Sequence, residues 1–197
     1  MEKNKPISVA FEDIRNNPDF IEHSEYRFIN DDLGMVISFQ AMGFRLFRTQ
    51  QPYRAKEGRI VRIMQGKGRI SINLIEYEAT AHDIIIIPDN SLIEISEVSP
   101  DYEFQVIMPT ANFLPVLQNS ILSEAYTRNG IRLSCNNEEW AHISSFFSLL
   151  WNILLYGITR FTSNPFWMQL LHVVISTSFV LVFLKKAPFN WIFKTLF

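Results

Sequence analysis

The sequence predicts an α+β protein in which a small antiparallel β-barrel precedes a helical C-terminal part. Between residues 58 and 108, short runs rich in Ile and Val are separated roughly every eight to twelve residues by turn residues, as in antiparallel sandwiches and barrels. The run Ile84–Ile87 contains only isoleucine and stops at Pro88, which indicates a strand covered on both faces. From Phe146 onward the chain is dense in Phe, Trp, Leu and Val, which indicates packed helices.

Composition excludes several classes of protein. With 18 basic and 20 acidic residues the net charge is −2, so the chain lacks the electrostatic footprint of a nucleic-acid-binding protein. The lone Cys135 predicts neither an intramolecular disulfide nor a metal cluster. No apolar run follows the N-terminal lysines, so we expect no secretory signal and a cytoplasmic location.

The first strands are predicted after a polar N-terminal arm. Residues 1–30 are polar, with a short helix around Val9–Arg15 that is interrupted at Pro18. Met35–Phe39 and Phe44–Arg48 are predicted as the first strands of the barrel.

Glycines and alternating side chains define the next two strands. Gly66 and Gly68 predict a tight hairpin, because glycine adopts the positive φ angles that such a turn needs. Ile70, Ile72 and Leu74 alternate with polar residues, which predicts a strand with one buried and one wetted face.

The last strands of the barrel predict its interior. If Ile93 faces inward, so does Ile95, and Phe104, Val106 and Met108 form a second alternating set across the sheet. An interior lined by these side chains is apolar. The pattern favours a core filled by its own side chains, with an apolar ligand pocket as the alternative.

Arginines make the same half of the chain locally basic. Arginine clusters bind carboxylates and phosphates through bidentate contacts, although more often they form a solvated strand face. Arg59 and Arg62 cannot share one face of a regular strand. The candidate pocket residues are Arg45, Arg62, Met64, Ile93, Ile95, Phe104 and Val106.

A long helix is predicted from Asn136 or Asn137 to Tyr156, with Glu138 and Glu139 placed favourably in its first turn. Its apolar residues form two neighbouring stripes. The first consists of Trp140, Ile143, Phe147, Leu150 and Leu154, and the second of Phe146, Leu149, Ile153 and Tyr156. One stripe suffices to dock the helix on its own chain, so the second predicts a homodimer.

The stretch Phe166–Leu184 contains nineteen residues without a charge and is followed by Lys185 and Lys186. Its length and hydropathy reach the threshold of a transmembrane helix. A second helix packed against protein, forming a helical hairpin with the first, is the favoured interpretation, and a membrane anchor is the alternative.

The order and spacing of several motifs resemble one family. They are Gly66 and Gly68, the segment Asp83–Pro88, the segment Ile131–Ser134, the pair Glu138 and Glu139, and Phe146–Leu150. Together they resemble the cupin-type sensor and dimerisation domain of AraC-family transcription regulators, over roughly residues 38–155. The resemblance implies a jelly-roll barrel at 1–110, a connector at 111–135 and a helical dimerisation segment at 136–197.

The same resemblance implies a function without catalysis: small-molecule sensing and dimerisation. Regulators of this family read DNA through two helix-turn-helix motifs, which this sequence does not contain, so DNA contact is expected only through a domain outside it. The tail after Leu184 matches no family pattern, which suggests a truncated or frameshifted regulator.

A metal-dependent cupin enzyme is the rival interpretation. The second metal-binding motif of such cupins places its histidine at the position of Ile93, which cannot coordinate a metal. His23, His82, His142 and His172 share no metal-ligand spacing. We therefore expect no metal, no cofactor and no enzymatic activity.

Overall fold

The computed structural model describes residues 5–18, 24–31, 33–38, 40, 48–109 and 131–161. The chain forms two compact units. The first comprises Met1–Leu114 with Ala125–Ser134, and the second comprises Pro115–Glu124 with Cys135–Phe197.

The first unit is built almost entirely of strands. A short helix, α1, spans Phe11–Arg15, and a single 3-10 turn spans Ser24–Tyr26. The strands are β1 (Ile7–Val9), β2 (Arg27–Ile29), β3 (Leu33–Val36), β4 (Pro52–Ala55), β5 (Arg59–Gln65), β6 (Lys67–Ile72), β7 (Ile75–Thr80), β8 (Asp83–Ile87), β9 (Leu92–Val98), β10 (Glu103–Pro109) and β11 (Ile131–Ser134).

These strands form two sheets around one core. One sheet has the order β1-β4-β9-β6-β7 and the other the order β11-β8-β5-β10-β3-β2. Neighbouring strands are antiparallel except β1 and β4, which are parallel. The core cluster draws side chains from both sheets, as in a jelly-roll barrel.

The chain changes sheet at Gly66, where the sequence predicted a hairpin. Strand β5 pairs with β8 and β10, whereas β6 pairs with β7 and β9, so β5 and β6 are not hairpin partners. Gly66 has a φ of +74°, as predicted, but Gly68 lies inside β6. The glycine at position 66 therefore predicts a sharp bend from sequence, but it does not predict which strand β6 pairs with.

The true hairpin of this region joins β6 to β7. Its two turn residues, Asn73 and Leu74, have φ angles of +50° and +71°. Two positive φ values belong to the tight turns that match the twist of the strands. The predicted alternation therefore ends at Ile72, which is buried, while Leu74 is 83% exposed at the tip.

Strand β8 has the predicted burial. All five residues of β8 are buried, and its four isoleucines are at most 2% exposed. Its neighbour β11 comes from the segment that the sequence assigned to the connector. A strand of four residues has too short a pattern to be recognised before its partner is known.

The second unit contains the helix α2, which spans Asn137–Phe161. Asn136 and Glu139 cap it reciprocally: the Glu139 backbone N–H donates to Asn136 Oδ1, and the Asn136 N–H donates to Glu139 Oε2, both at 2.9 Å. The α+β class, with an antiparallel jelly-roll barrel and a C-terminal helix, is thus confirmed. The predicted partner helix, Phe166–Leu184, lies outside the described residues.

No helix in the described ranges is long and apolar enough to span a bilayer.

Candidate ligand site inside the barrel

The barrel interior contains a cavity of about 50 Å³. Its walls come from both sheets and from α1. The lining residues are Ile14, Val36, Arg59, Val61, Ile70, Ile85, Ile87, Ile93, Ile95, Tyr102, Phe104, Val106 and Met108. All but two of these side chains are hydrocarbon or thioether, so the cavity offers a mainly apolar environment with two polar groups, Arg59 and Tyr102.

Arg59 reaches the cavity because it is the first residue of β5 and lies opposite Ile87 of β8. Alternation along β5 gives Arg59 the same face as Val61, which also lines the cavity. Arg59 is only 6% exposed. Burial lowers the pKa of its guanidinium to about 10, and the Glu57 carboxylate partly offsets this effect. The side chain therefore remains a cation at neutral pH.

Arg62 lies on the opposite face of the same strand. It faces Gln105 of β10, and its Nε donates to Gln105 Oε1 at 2.9 Å. The Gln105 amide in turn donates to the carbonyl of Ile37 at 2.8 Å. Burial also lowers the pKa of Arg62 to about 10. Two buried arginines thus have similar titration behaviour but face different environments.

The N-terminal arm forms one wall of the site. Within α1, Ile14 lines the cavity, and Phe11 belongs to the same core cluster. The Phe11 backbone N–H donates to Glu57 Oε2 at 2.8 Å, close to where β5 begins. A Cβ atom on Gly34 would lie 2.7 Å from the Phe11 ring, so glycine is needed there for the arm to pack so tightly.

The glycine motif of the sequence makes room for Tyr102. A Cβ on Gly66 would lie 2.8 Å from both N and Cα of Tyr102, and a Cβ on Gly68 would lie 3.1 Å from its ring. Burial, with a further contribution from the Asp83 charge, raises the pKa of Tyr102. The phenol is therefore neutral at physiological pH, and Tyr102 is one of the residues that line the cavity. The motif serves the cavity as well as the turn.

The seven pocket candidates from the sequence divide into three groups. Ile93, Ile95, Phe104 and Val106 line the cavity. Arg62 and Met64 do not line it. Side chains alternate between the two faces of β5, and Arg59 and Val61 face the cavity, so Arg62 and Met64 lie on the other face. Arg45 lies outside the described residues.

Nine lining residues were not among the pocket candidates from the sequence: Arg59, Tyr102 and Ile14, together with Val36, Val61, Ile70, Ile85, Ile87 and Met108. The signal for Arg59 was the alternation that separated it from Arg62, but choosing its face required the register of β5 against β10, in which Val61 lies opposite Val106.

The helix candidates also divide. Ile143, Phe146, Phe147, Leu150 and Leu154 are buried, and Trp140 and Ile153 are partly buried. Leu149 is 50% exposed. The Tyr156 side chain lies outside the described part. Phe146 thus joins the buried stripe, and Leu149 with Ile153 remains as the accessible part of the second stripe.

The described residues contain no cluster of three or more His, Cys, Asp or Glu side chains suited to a metal ion. His82 and His142 lie within the described ranges, on the β7–β8 turn and on α2, whereas His23 and His172 lie outside them. Ile93, at the position of a metal ligand in other barrels, contributes hydrocarbon to the cavity wall.

Comparison with known proteins gives loose likenesses only. No protein-family model and no curated protein matches the chain significantly. Among solved structures, ToxT from Vibrio cholerae O395, bound to (E)-4-(8-methylnaphthalen-1-yl)but-3-enoic acid, is 16% identical over 66% of this chain and 49% of its own, with a TM-score of 0.40. Unsaturated fatty acid bound wild-type ToxT from strain SCE256 is 17% identical over 66% of this chain and 47% of its own, with a TM-score of 0.42.

A Cupin 2 conserved barrel domain protein from Leptotrichia buccalis is 14% identical over 43% of this chain and 39% of its own, with a TM-score of 0.34. This chain therefore matches only about half the length of the ToxT structures. Likenesses of this extent carry no functional argument, so function has to be argued from the cavity itself.

Proposed function

We propose that this chain is the ligand-sensing and dimerisation part of an AraC-type bacterial transcription regulator that acts in the cytoplasm and is not an enzyme. One observation carries the sensing role: a buried cation, Arg59, lies at the wall of an otherwise apolar cavity inside the barrel. DNA contact belongs, in this proposal, to a domain outside this sequence.

In this proposal, a ligand in the cavity changes the position of the N-terminal arm. Ile14 contributes to the wall, and Phe11 is tied to Glu57 by a hydrogen bond of 2.8 Å. The cavity of about 50 Å³ holds only a small molecule as it stands. A larger ligand must displace a wall, and the arm is joined to its sheet at an edge, where the described strand β1 pairs with β4.

Dimerisation is assigned to α2. Leu149 is 50% exposed and Ile153 is partly buried, one turn apart on the same face of the helix. Burying two such side chains on each copy stabilises a dimer by about 1.5–3 kcal/mol per fully buried side chain before association costs are subtracted. A second copy of this chain is the occupant that this proposal assigns to that face.

A cavity-filling variant tests the sensing role. Thermal unfolding of the full chain is measured with a panel of small apolar acids, alcohols and amides, for the wild type, for Val106→Leu and for Ile107→Leu. Val106 lines the cavity, whereas its neighbour Ile107 is buried on the opposite face of β10 and serves as the matched control.

We expect at least one compound to stabilise the wild type and Ile107→Leu but not Val106→Leu. If no compound in the panel stabilises the wild type, or if both variants lose the effect equally, the cavity is not a sensing site.

A further inference from the structure

Two side chains of the N-terminal arm lie inside the barrel core. Helix α1 places Phe11 and Ile14 there, and they are only 4% and 2% exposed. Both belong to the core cluster that draws side chains from the two sheets. The cavity of about 50 Å³ is therefore the space that remains while the arm is docked.

The arm spans from one sheet to the other. Its strand β1 pairs with β4 at the edge of the first sheet. The Phe11 ring reaches the second sheet, where a Cβ on Gly34 of β3 would lie 2.7 Å from the ring. The same Cβ would lie 3.0 Å from the terminal methyl of Met108, which lines the cavity. The ring thus lies on the bare backbone of β3, close to the cavity.

The polar contacts that hold the arm are few and lie near the surface. The ion pair between Arg15 and Asp31, at 2.8 Å, is exposed, and exposed pairs contribute little. The Phe11 backbone N–H donates to Glu57 Oε2 at 2.8 Å at a part-buried position. A helix of five residues is not stable without its packing contacts. Burial of two apolar side chains is therefore the main interaction that keeps α1 docked.

Undocking of the arm would open a space of ligand size. An engineered protein cavity of roughly 150 Å³, left by one truncated leucine, is enough to bind benzene. Phe11 and Ile14 are each at least as large as leucine, so their departure adds roughly 300 Å³ on the same scale. Ligand pockets begin at about this volume.

The contacts of Phe11 define the chemistry of a ligand that would replace it. Its ring lies against Gly34, and its backbone N–H, two carbon atoms beyond the ring, donates to the Glu57 carboxylate. A replacement therefore needs an aromatic ring and a hydrogen-bond donor at that spacing. An anion cannot donate and would be repelled by Glu57. Arg59 already has an interaction partner and lies beside the Glu57 charge, so it does not select for an acid.

We propose that the arm competes with the ligand: the barrel binds a neutral phenylethyl alcohol or arylacetamide, whose ring replaces that of Phe11 against Gly34 and whose donor replaces the Phe11 N–H on Glu57. Ligand binding and arm docking then exclude each other, and binding releases the arm. This rests on the proposed sensing function, and it names the ligand class and the conformational change that reports binding.

Amide hydrogen exchange on the full chain, titrated with 2-phenylethanol, tests the competition. Two amides report arm docking, because the Phe11 N–H donates to Glu57 and the Lys56 N–H donates to the Val9 carbonyl at 3.0 Å. Ile85, in the buried strand β8, is the reference. We expect 2-phenylethanol to accelerate exchange at Phe11 and Lys56 but not at Ile85. Slower exchange at both arm amides would show that the arm closes over the ligand, which overturns the competition.

Phenylacetate is the matched anionic probe, because it has the same ring and a carboxylate in place of the donor. We expect it to bind at least about tenfold more weakly than 2-phenylethanol in thermal unfolding at constant ionic strength. Equal affinity for the two compounds would overturn the ligand class.

A reversible lock on the arm provides a second test. Ser8 and Arg54 are register partners on β1 and β4, and both are exposed, so Ser8→Cys with Arg54→Cys in a Cys135→Ser chain allows a disulfide between the strands. The oxidised form should bind 2-phenylethanol at least about tenfold more weakly than the same protein after reduction. Equal affinity in the two forms would overturn the competition and leave the sensing role intact.

A measurement on the wild type alone locates the ligand. Nuclear Overhauser contacts between the ring of 2-phenylethanol and the Met108 methyl support the proposal, whereas contacts confined to exposed side chains such as Leu74 contradict it. If another small compound binds inside the barrel and 2-phenylethanol does not, the ligand class alone is wrong. If no compound of any class binds there, the sensing function fails as well.

Discussion

Arg132 Nε donates to Asp83 Oδ2 at 2.8 Å, and this ion pair joins the last strand of the barrel to its most buried one. Asp83 is 1% exposed and also accepts from the Thr80 backbone N–H at 2.7 Å and from the Ser134 hydroxyl at 2.6 Å. The segments Asp83–Pro88 and Ile131–Ser134 were separate motifs in the sequence, and this carboxylate makes them one structural unit.

The first prediction concerns that carboxylate. Asp83→Ala should lower the free energy of unfolding by about 2–4 kcal/mol, because it leaves a partly buried guanidinium and several buried donors without their acceptor. Urea denaturation of the full chain measures this change. Glu97→Ala is the control, since its ion pair with Arg69 is exposed and should contribute less than about 1 kcal/mol. Equal losses in the two variants would contradict the role given to Asp83.

The second prediction separates the two glycines of the motif. Gly66→Ala should destabilise the fold by about 2 kcal/mol or more, because a positive φ disfavours alanine and the new Cβ would collide with the Tyr102 backbone. Gly68→Ala should change stability by less than about 1 kcal/mol, since its Cβ meets only side chains, at 3.1–3.2 Å from Tyr102 and Val98, its φ is not positive, and alanine suits a strand better than glycine. Urea denaturation of both variants tests this order, and the reverse order would refute it.

The third prediction is a pH dependence at Tyr102. Its pKa is raised in the folded state by burial and then by the Asp83 charge, so the phenol favours folding while it is protonated. The stability it contributes is fully present below about pH 10, where an unfolded tyrosine ionises, and is lost as the pH rises towards the folded-state value.

Tyrosinate absorbance measures this behaviour, with Tyr102→Phe as the comparison. In urea the variant should lose one of six titrating tyrosines, whereas in the folded state near pH 10 the two proteins should give nearly the same tyrosinate signal. An unshielded tyrosine is about half ionised near pH 10. A folded variant with about half a tyrosinate fewer than the folded wild type at that pH would therefore show that Tyr102 is not shielded.

The fourth prediction concerns α2. Leu149→Glu should convert a dimer to a monomer in sedimentation equilibrium, because the charge would be buried at the interface between copies. Ser148→Glu, at the neighbouring exposed position, should leave the dimer intact. A wild-type chain that sediments as a monomer at micromolar concentration, or dimers in both variants, would contradict the assignment.

Local patterns predicted those parts of the fold that depend on local sequence. Four consecutive isoleucines predicted that β8 is buried on both faces, as the structure shows. The alternation of Phe104 and Val106 predicted two residues of the cavity wall. Asn136 and Glu139 mark the start of α2, because their side chains accept hydrogen bonds from each other's backbone N–H groups. Each of these features is determined within a few residues of the chain.

The features that the sequence did not reveal depend on strand pairing. Whether Arg59 or Arg62 faces the interior follows from the register of β5 against β10, which neither strand encodes alone. Likewise Gly66 predicts a bend in the chain, but the pairing of β6 with β9 is needed to show that the chain changes sheet there. The strand Ile131–Ser134 was missed because its partner, Ile84 and its neighbours, lies some fifty residues earlier in the sequence.

The most direct test of the central claim is a methyl NMR titration of the full chain with the compound of the acid, alcohol and amide panel that stabilises it most. The account predicts saturable shifts of the methyl groups of Ile93, Ile95 and Val106, which line the cavity. It predicts no shifts for Ile84 and Ile107, which are buried but do not line it. Shifts on the second set alone, or none that saturate, would contradict a ligand site inside the barrel.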